Sequence, residues 1–221
     1  MTDKRARVRE LAAEFTQKGD QLGWFDAIYR EAERGESVVP WADGEPNAGL
    51  LDFWQKHPLE THGKSALVIG SGLGDDSEQL ARWGYAVTGF DISPTAIAAT
   101  RRRYSNSKVE YAVADLFGPP KAWLRKFDFV LEIYTVQAFT GELRACAVAK
   151  IAEFVAPGGQ LLVIARGREA DEPEGQGPPW PLTRQEIDGF KRAGLLEKSF
   201  EDYADPEPPW VSRFRALYHR P

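Results

Sequence analysis

The chain has 221 residues, 43% of them hydrophobic, 12% aromatic and 28% charged, with a formal net charge of −5. That length fits one sizeable domain, or one with a small N-terminal addition, and the apolar content is enough for a full core, which argues against a disordered chain. The acidic balance removes the electrostatic case for nucleic acid, because neutralising phosphates needs a basic surface. No apolar run is long enough to span a bilayer, and the opening MTDKRARVRELAAEF lacks the apolar segment of a secretory signal. The single cysteine, Cys146, allows no intrachain disulfide, so a cytoplasmic protein is expected.

Val8, Leu11, Ala12 and Phe15 recur at helical spacing, so the first thirty residues are expected to be helical. A Gly/Pro/Asn-broken loop carrying Trp41 follows over 33–49, then a short helix, GLLDFWQKH, and a turn. From Ala66 the pattern alternates. ALVIG is a continuous apolar run, as in a strand buried on both faces of a parallel sheet. DDSEQLARWG is a helix closed by Gly84. AVTGFD is a second strand, and SPTAIAATRRRY a helix with Ser93 as N-cap and Pro94 at its first position. The RRR of 101–103 reads as a solvated face.

VEYAVAD and FDFVLEIY are strands three and four, GELRACAVAKIAEFV is a helix ended by APGG, and QLLVIAR is strand five. Cys146 sits among alanines in that helix and is expected to be buried packing. LTRQEIDGFKRAG is a helix with Thr183 and Glu186 in a capping box. LLEKSFEDY and WVSRFRALYH are joined by too short a loop for a parallel crossover, so they must pair antiparallel. The expected fold is therefore α/β: a doubly wound, seven-stranded, mostly parallel Rossmann-like sheet with a terminal antiparallel hairpin. Residues 1–62 form an N-terminal helical lid, and 63–221 the ligand-binding domain.

In such a sheet the ligand lies outside the carboxyl ends of the strands, where the order reverses. Gly70, Ser71, Gly72 and Gly74 make a turn there in which glycine lets the backbone come close to a ligand. Asp91 closes strand two, twenty-one residues after Gly70, a spacing that suits a carboxylate accepting ribose hydroxyls. So far a nicotinamide cofactor and S-adenosylmethionine fit equally. A pyrophosphate needs a helix N-terminus free of competing anions, yet Asp75 and Asp76 stand there, and Asp75 occupies the place of the third glycine. One of the two acids can simply complement the helix dipole. The pair favours a ligand carrying an ammonium and a sulfonium. Asp115, after strand three, is placed to accept from an adenine amino group while the Leu116 N–H faces the ring; the plain alternative is a turn aspartate.

The stretches PWADGEPNAGLL, LVIGSGLGDDS, VTGFDIS, FDFVLEIY, APGGQLLVI and GPPWPLTRQEI resemble the class I S-adenosylmethionine-dependent methyltransferases from about Trp24 onward. Within them the chain is most similar to the group holding halide/thiol and thiopurine methyltransferases. The resemblance implies a Trp41 and Trp24 lid over the methionine part of the cofactor, and contacts from Gly70, Asp91, Asp115 and the end of strand four. Against that family, Tyr29 stands where a second tryptophan is common, and Glu132 replaces the usual aspartate. The expected cofactor set is thus Trp24, Trp41, Gly70, Ser71, Gly72, Gly74, Asp76, Asp91, Ile92, Asp115, Leu116 and Glu132. Glu132 and Tyr134 are the catalytic candidates, and Tyr134, Gln137 and Trp180 the substrate contacts.

Methyl transfer from a sulfonium is an in-line displacement, in which alignment and exclusion of water matter most. Trp24, Trp41, Trp180 and Trp210 are expected to flank the carboxyl edge; the plain reading of any one is core packing. His57 and His62 fall in a turn before the sheet and His219 ends the last strand, all three read as structural or solvated, which weakens a base-requiring O-methylation. A small acceptor with a thiol, hydrosulfide or halide nucleophile is therefore expected. The rivals are an N- or O-methyltransferase of a small natural product, an NAD(P)-dependent oxidoreductase, and a silent binding module. No metal-ligand spacing is present. The oligomeric state stays open, a monomer included.

Overall fold

The computed structural model describes residues 5–204 and 211–221, so Trp210 lies outside the described residues. Its centre is one seven-stranded sheet in the order β3-β2-β1-β4-β5-β7-β6. The strands are β1 (Ser65–Ile69), β2 (Ala86–Asp91), β3 (Glu110–Val113), β4 (Phe127–Ile133), β5 (Val155–Arg166), β6 (Leu196–Ala204) and β7 (Ser212–His219). β1 through β5 pair parallel, and β7 pairs antiparallel with both β5 and β6. This is the Rossmann-like architecture expected, with the strand order reversing between β1 and β4.

Helices cover both faces because each central strand is apolar on both sides. On one face α3 (Ala48–Lys56), α4 (Asp75–Arg82) and α5 (Pro94–Arg103) pack with Ala66, Val68, Val87 and Leu131. On the other, α6 (Gly141–Phe154), α7 (Arg184–Ile187) and α8 (Gly189–Arg192) cover Leu67, Ile69, Val130 and Val163. The N-terminal helices α1 (Ala6–Gln17) and α2 (Gly23–Glu33) form a third cluster in which Val8, Leu11, Trp24 and Ile28 are buried, together with Ala96 of α5. Asp26 of α2 accepts from the Ser93 hydroxyl at 2.7 Å and the Thr95 N–H at 3.2 Å, tying α2 to the start of α5.

Local signals fall where expected. The Ser93 hydroxyl accepts from the Ala96 N–H with Pro94 in the first turn, Thr183 and Glu186 form a capping box, and Gly84 has a φ of +103° behind α4. Three expectations are corrected. VAPGG does not end a helix as a turn; it is the first part of β5, with a register shift between Phe127 and Phe129. Gly159 is needed there, since a Cβ would stand 2.8 Å from the Phe127 carbonyl oxygen. The helix expected at 183–194 is split at Asp188, where Gly189 packs close to Val148 of α6. Cys146 is exposed, because α6 turns Ala147, Val148 and Ile151 inward instead. The three arginines of α5 are exposed, as a solvated face requires, and each also has a partner: the Tyr111 carbonyl for Arg101, Glu33 for Arg102, and Asp75 for Arg103.

Candidate functional site

Above the carboxyl ends of β1, β2 and β4 opens a cavity of about 830 Å³. That is toward the large end of the roughly 300–1,000 Å³ usual for small-molecule sites, room for two small ligands side by side. Its floor is the glycine turn after β1, where Gly70, Gly72 and Gly74 have φ of +58°, +51° and +88°. A Cβ on Gly70 would meet the Thr135 hydroxyl at 2.7 Å, so the turns after β1 and β4 touch only because that Cβ is missing. The Ser71 hydroxyl lines the cavity, is buried and has no hydrogen-bond partner among the described residues.

Asp91 closes β2 beneath this turn, its Oδ2 accepting from the Gly72 N–H at 3.0 Å and its Oδ1 from the Ser93 N–H at 2.9 Å. A carboxylate can accept more bonds than these, and the residue lines the cavity. Burial pushes its carboxyl up to about 6, opposed by the backbone bonds. Asp115, Leu116 and Ile92 form the neighbouring wall; Asp115 is turned by a bond from the Phe117 N–H at 2.8 Å.

The two acids of the α4 N-terminus part company. Asp75 is held by Arg103 at 2.8 Å and by the Tyr104 hydroxyl at 2.9 Å, so its charge is already answered. Asp76 is half-buried at the cavity, accepts from the Asn47 N–H at 2.7 Å, and is pushed up to about 6 by desolvation. Only one of the pair therefore presents an unanswered carboxylate to a ligand.

An aromatic wall closes the other side. Trp41 donates its indole N–H to the Tyr29 hydroxyl at 2.9 Å, and its ring stands edge-on to Trp24 (6.3 Å, 84°) and Tyr29 (6.1 Å, 79°). Trp24 and Tyr29 are buried, whereas Trp41 is 38% exposed at the rim. Tyr29 takes the tryptophan-like place in this wall.

The end of β4 corrects the catalytic expectation for Glu132. Its side chain is fully buried and does not line the cavity; Oε1 accepts from the Thr135 and Val136 N–H groups at 2.7 and 2.9 Å, and Oε2 has no hydrogen-bond partner. Burial pushes the carboxyl up to about 7. It serves to bend the chain so that Tyr134, at φ +64°, reaches the cavity. The Tyr134 hydroxyl accepts from the Asn47 amide at 3.4 Å, and the Arg213 guanidinium lies 5.3 Å from its ring centre. Gln137 lines the cavity while its Oε1 accepts from the Arg166 N–H at 2.7 Å. Trp180 does not line it: its indole folds against Gly177, and the adjoining Pro178 and Pro179 form the wall.

Sequence reasoning missed Asn47. It caps α3 by accepting from the Gly49 N–H at 2.9 Å while holding Asp76 and Tyr134 from the lid side. Its signal was available as an N-cap residue before the α3 pattern. Pro178 and Pro179 carried none, because their place depends on where the strap after β5 folds back.

A family model described as a methyltransferase domain matches residues 66–159, the segment from β1 into β5. A thiopurine S-methyltransferase of Vibrio atlanticus (strain LGP32) is 24% identical over 76% of this chain and 82% of that protein. A probable thiol methyltransferase 2 of Arabidopsis thaliana is 27% identical over 86% of this chain and 82% of that protein. Among solved structures, one concerned with conversion of a disulfide bond into a thioacetal group during echinomycin biosynthesis superposes with a TM-score of 0.71. It is 22% identical and covers 89% of this chain and 93% of its own, a likeness of fold.

Proposed function

We propose that this chain, which carries a methyltransferase-domain match on a Rossmann-like fold, is an S-adenosylmethionine-dependent methyltransferase that methylates a small acceptor through a soft nucleophile: a thiol, hydrosulfide or halide. The residues present suit the cofactor. The partnerless Ser71 hydroxyl and the carboxylate of Asp91 offer hydrogen-bonding capacity that ribose hydroxyls or a ligand's polar end would complete. Asp76 offers a carboxylate to an ammonium, and the ring faces of Trp24, Tyr29 and Trp41 tolerate a sulfonium. A diphosphate at the glycine turn would meet Asp76 and Asp91.

When bound, the cofactor supplies a methyl group on a positively charged sulfur. The chain's own work is to hold the acceptor in line and keep water out, contributions worth several kcal/mol in well-aligned reactions. Residues 1–62 act as the lid for that purpose, with Trp41 at its rim.

The observation that carries the soft-nucleophile reading is that, among the described residues, no histidine or strand-four acid faces the acceptor end of the cavity, while the lining carboxylates Asp76 and Asp91 are assigned to the cofactor. Glu132 lies behind the wall with its Oε1 on backbone N–H groups, and among the described residues no histidine lines the cavity. A thiol with a pKa near ~8.5 ionises appreciably without help, whereas a phenol or an ammonium needs a proton acceptor. The names of the Vibrio and Arabidopsis relatives, a thiopurine S-methyltransferase and a probable thiol methyltransferase, support the same acceptor class. Incubation with S-adenosylmethionine and a panel of thiols, hydrosulfide, iodide, phenols and amines tests it. Turnover on thiols that rises with pH toward the thiol pKa is expected; turnover confined to phenols or amines would replace this reading with O- or N-methylation.

Trp41→Ala is expected to lower kcat about tenfold or more while the melting temperature moves by no more than ~2 °C, because a rim residue contributes more to closure than to the core. Parallel turnover and thermal unfolding measurements check this, and a large melting-temperature drop would return Trp41 to the core.

A further inference from the structure

The strap between β5 and α7, residues 167–182, brings Pro178 and Pro179 to the cavity, yet Asp171 to Pro173 are exposed and contribute nothing to the core. Something else must fix it. Arg168 ties the strap to itself through the Glu172 and Pro181 carbonyls at 2.8 and 3.1 Å, and a buried guanidinium ties it to α6: Arg144, 4% exposed, reaches three separate segments. Its Nε donates to the Phe139 carbonyl at 2.7 Å, its Nη2 pairs with Glu174 of the strap at 2.6 Å, and its Nη1 pairs with Glu186 at the start of α7. Phe139 and Gln137, which line the cavity, lie in the turn after β4, and the Trp180 N–H donates to the Gln137 carbonyl at 2.8 Å. Floor and wall are therefore referred to a single rigid fork, a task suited to arginine because its donors are fixed in one plane.

We propose that the Arg144–Glu174 pair is a latch that determines acceptor specificity, by holding the Pro178–Pro179 wall at the acceptor end of the cavity. The sheet order says which end. Asp91 and Asp115 stand after β2 and β3, on one side of β1, whereas the strap leaves β5, across β4 on the opposite side. The latch thus confines whatever lies beside the cofactor, not the cofactor itself; this rests on the methyltransferase reading above. Breaking it frees the strap while leaving Arg144 on the Phe139 carbonyl and Glu186.

Glu174 is partly exposed, with a side-chain accessibility of 35%, so Glu174→Ala removes the latch without opening the core, and Glu174→Gln keeps the shape and part of the bond. The test has three measurements on the full chain: hydrogen–deuterium exchange of the 174–182 segment, S-adenosylhomocysteine affinity by calorimetry, and kcat and KM for a small and a bulky acceptor of whichever class reacts. In Glu174→Ala, exchange of the strap should accelerate about tenfold and the cofactor product should bind within about twofold of the parent. KM for the small acceptor should rise roughly three- to tenfold, with the bulky acceptor gaining relative to it and Glu174→Gln falling between. Unchanged exchange, or an unchanged preference between the two acceptors, overturns the latch. So does a loss of cofactor affinity in step with activity, which would mark a general structural role. If no acceptor of any class turns over, the function fails, and the exchange and affinity measurements still decide the latch.

Discussion

Asp91→Ala is expected to weaken S-adenosylhomocysteine binding by about 100-fold or more, measured by calorimetry. Two charge-assisted hydrogen bonds to a ligand are lost, each worth ~1.5–3 kcal/mol. The same carboxylate holds the Gly72 and Ser93 N–H groups at 3.0 and 2.9 Å, so its removal also loosens the glycine turn on which the cofactor would rest. Unchanged affinity would remove Asp91 from the site. The elevated pKa adds a pH signature. Burial raises the carboxyl to about 6, so folding favours its protonated form. Its contribution to stability is full below the ordinary carboxylate range and is lost as the pH rises through about 6. A ligand that donates hydroxyls to the ionised form opposes that preference. Affinity should therefore increase as the pH climbs through about 6 and level off above it, with a proton released on binding. Asp76, also near 6 through burial, pushes in the same direction if an ammonium sits beside it. Titrations in buffers of different ionisation enthalpy would expose the proton; affinity flat across that range would contradict the assignment of both acids.

Gly74→Ala should destabilise the fold by ~2–4 kcal/mol, a melting-temperature loss of about 5–15 °C for a chain of this size. The residue ends the glycine turn at φ +88° as the N-cap of α4, a conformation that costs an L residue ~1–2 kcal/mol on its own. A Cβ there would also stand 2.6 Å from both the Thr100 methyl and the Tyr111 hydroxyl. Neither can retreat easily: Thr100 donates to the Gly72 carbonyl at 2.8 Å, and Tyr111 donates to Glu78 at 2.8 Å. Gly63→Ala is the control, since Gly63 has φ +72° with nothing within 4 Å of its would-be Cβ. Equal melting-temperature losses for the two would show that crowding at Gly74 contributes nothing.

Much of the protein was readable along the chain because the information is local. Unbroken apolar runs specify strands buried on both faces, and the spacing of Ser93, Pro94, Thr183 and Glu186 specifies helix starts. Glycines at 70, 72 and 74, followed by acids at 91 and 115, mark the strand ends at which the cavity opens. All of these follow from backbone geometry within a few residues, which holds whatever the rest of the chain does.

Tertiary structure alone decided the rest. β7 enters the sheet between β5 and β6, which no local pattern encodes. Asp75 and Asp76 are neighbours of identical chemistry, yet one is claimed by Arg103, 28 residues on, and the other by the Asn47 backbone, 29 residues back. Glu132 has the right place in the sequence for a catalytic acid, but strand pleat and burial turn it behind the wall, and Cys146 rotates outward on α6 for the corresponding reason in a helix. The physical reason is the same throughout: the direction a side chain faces and the partner that neutralises it are set by groups distant in sequence, so they come into being only when the chain has packed.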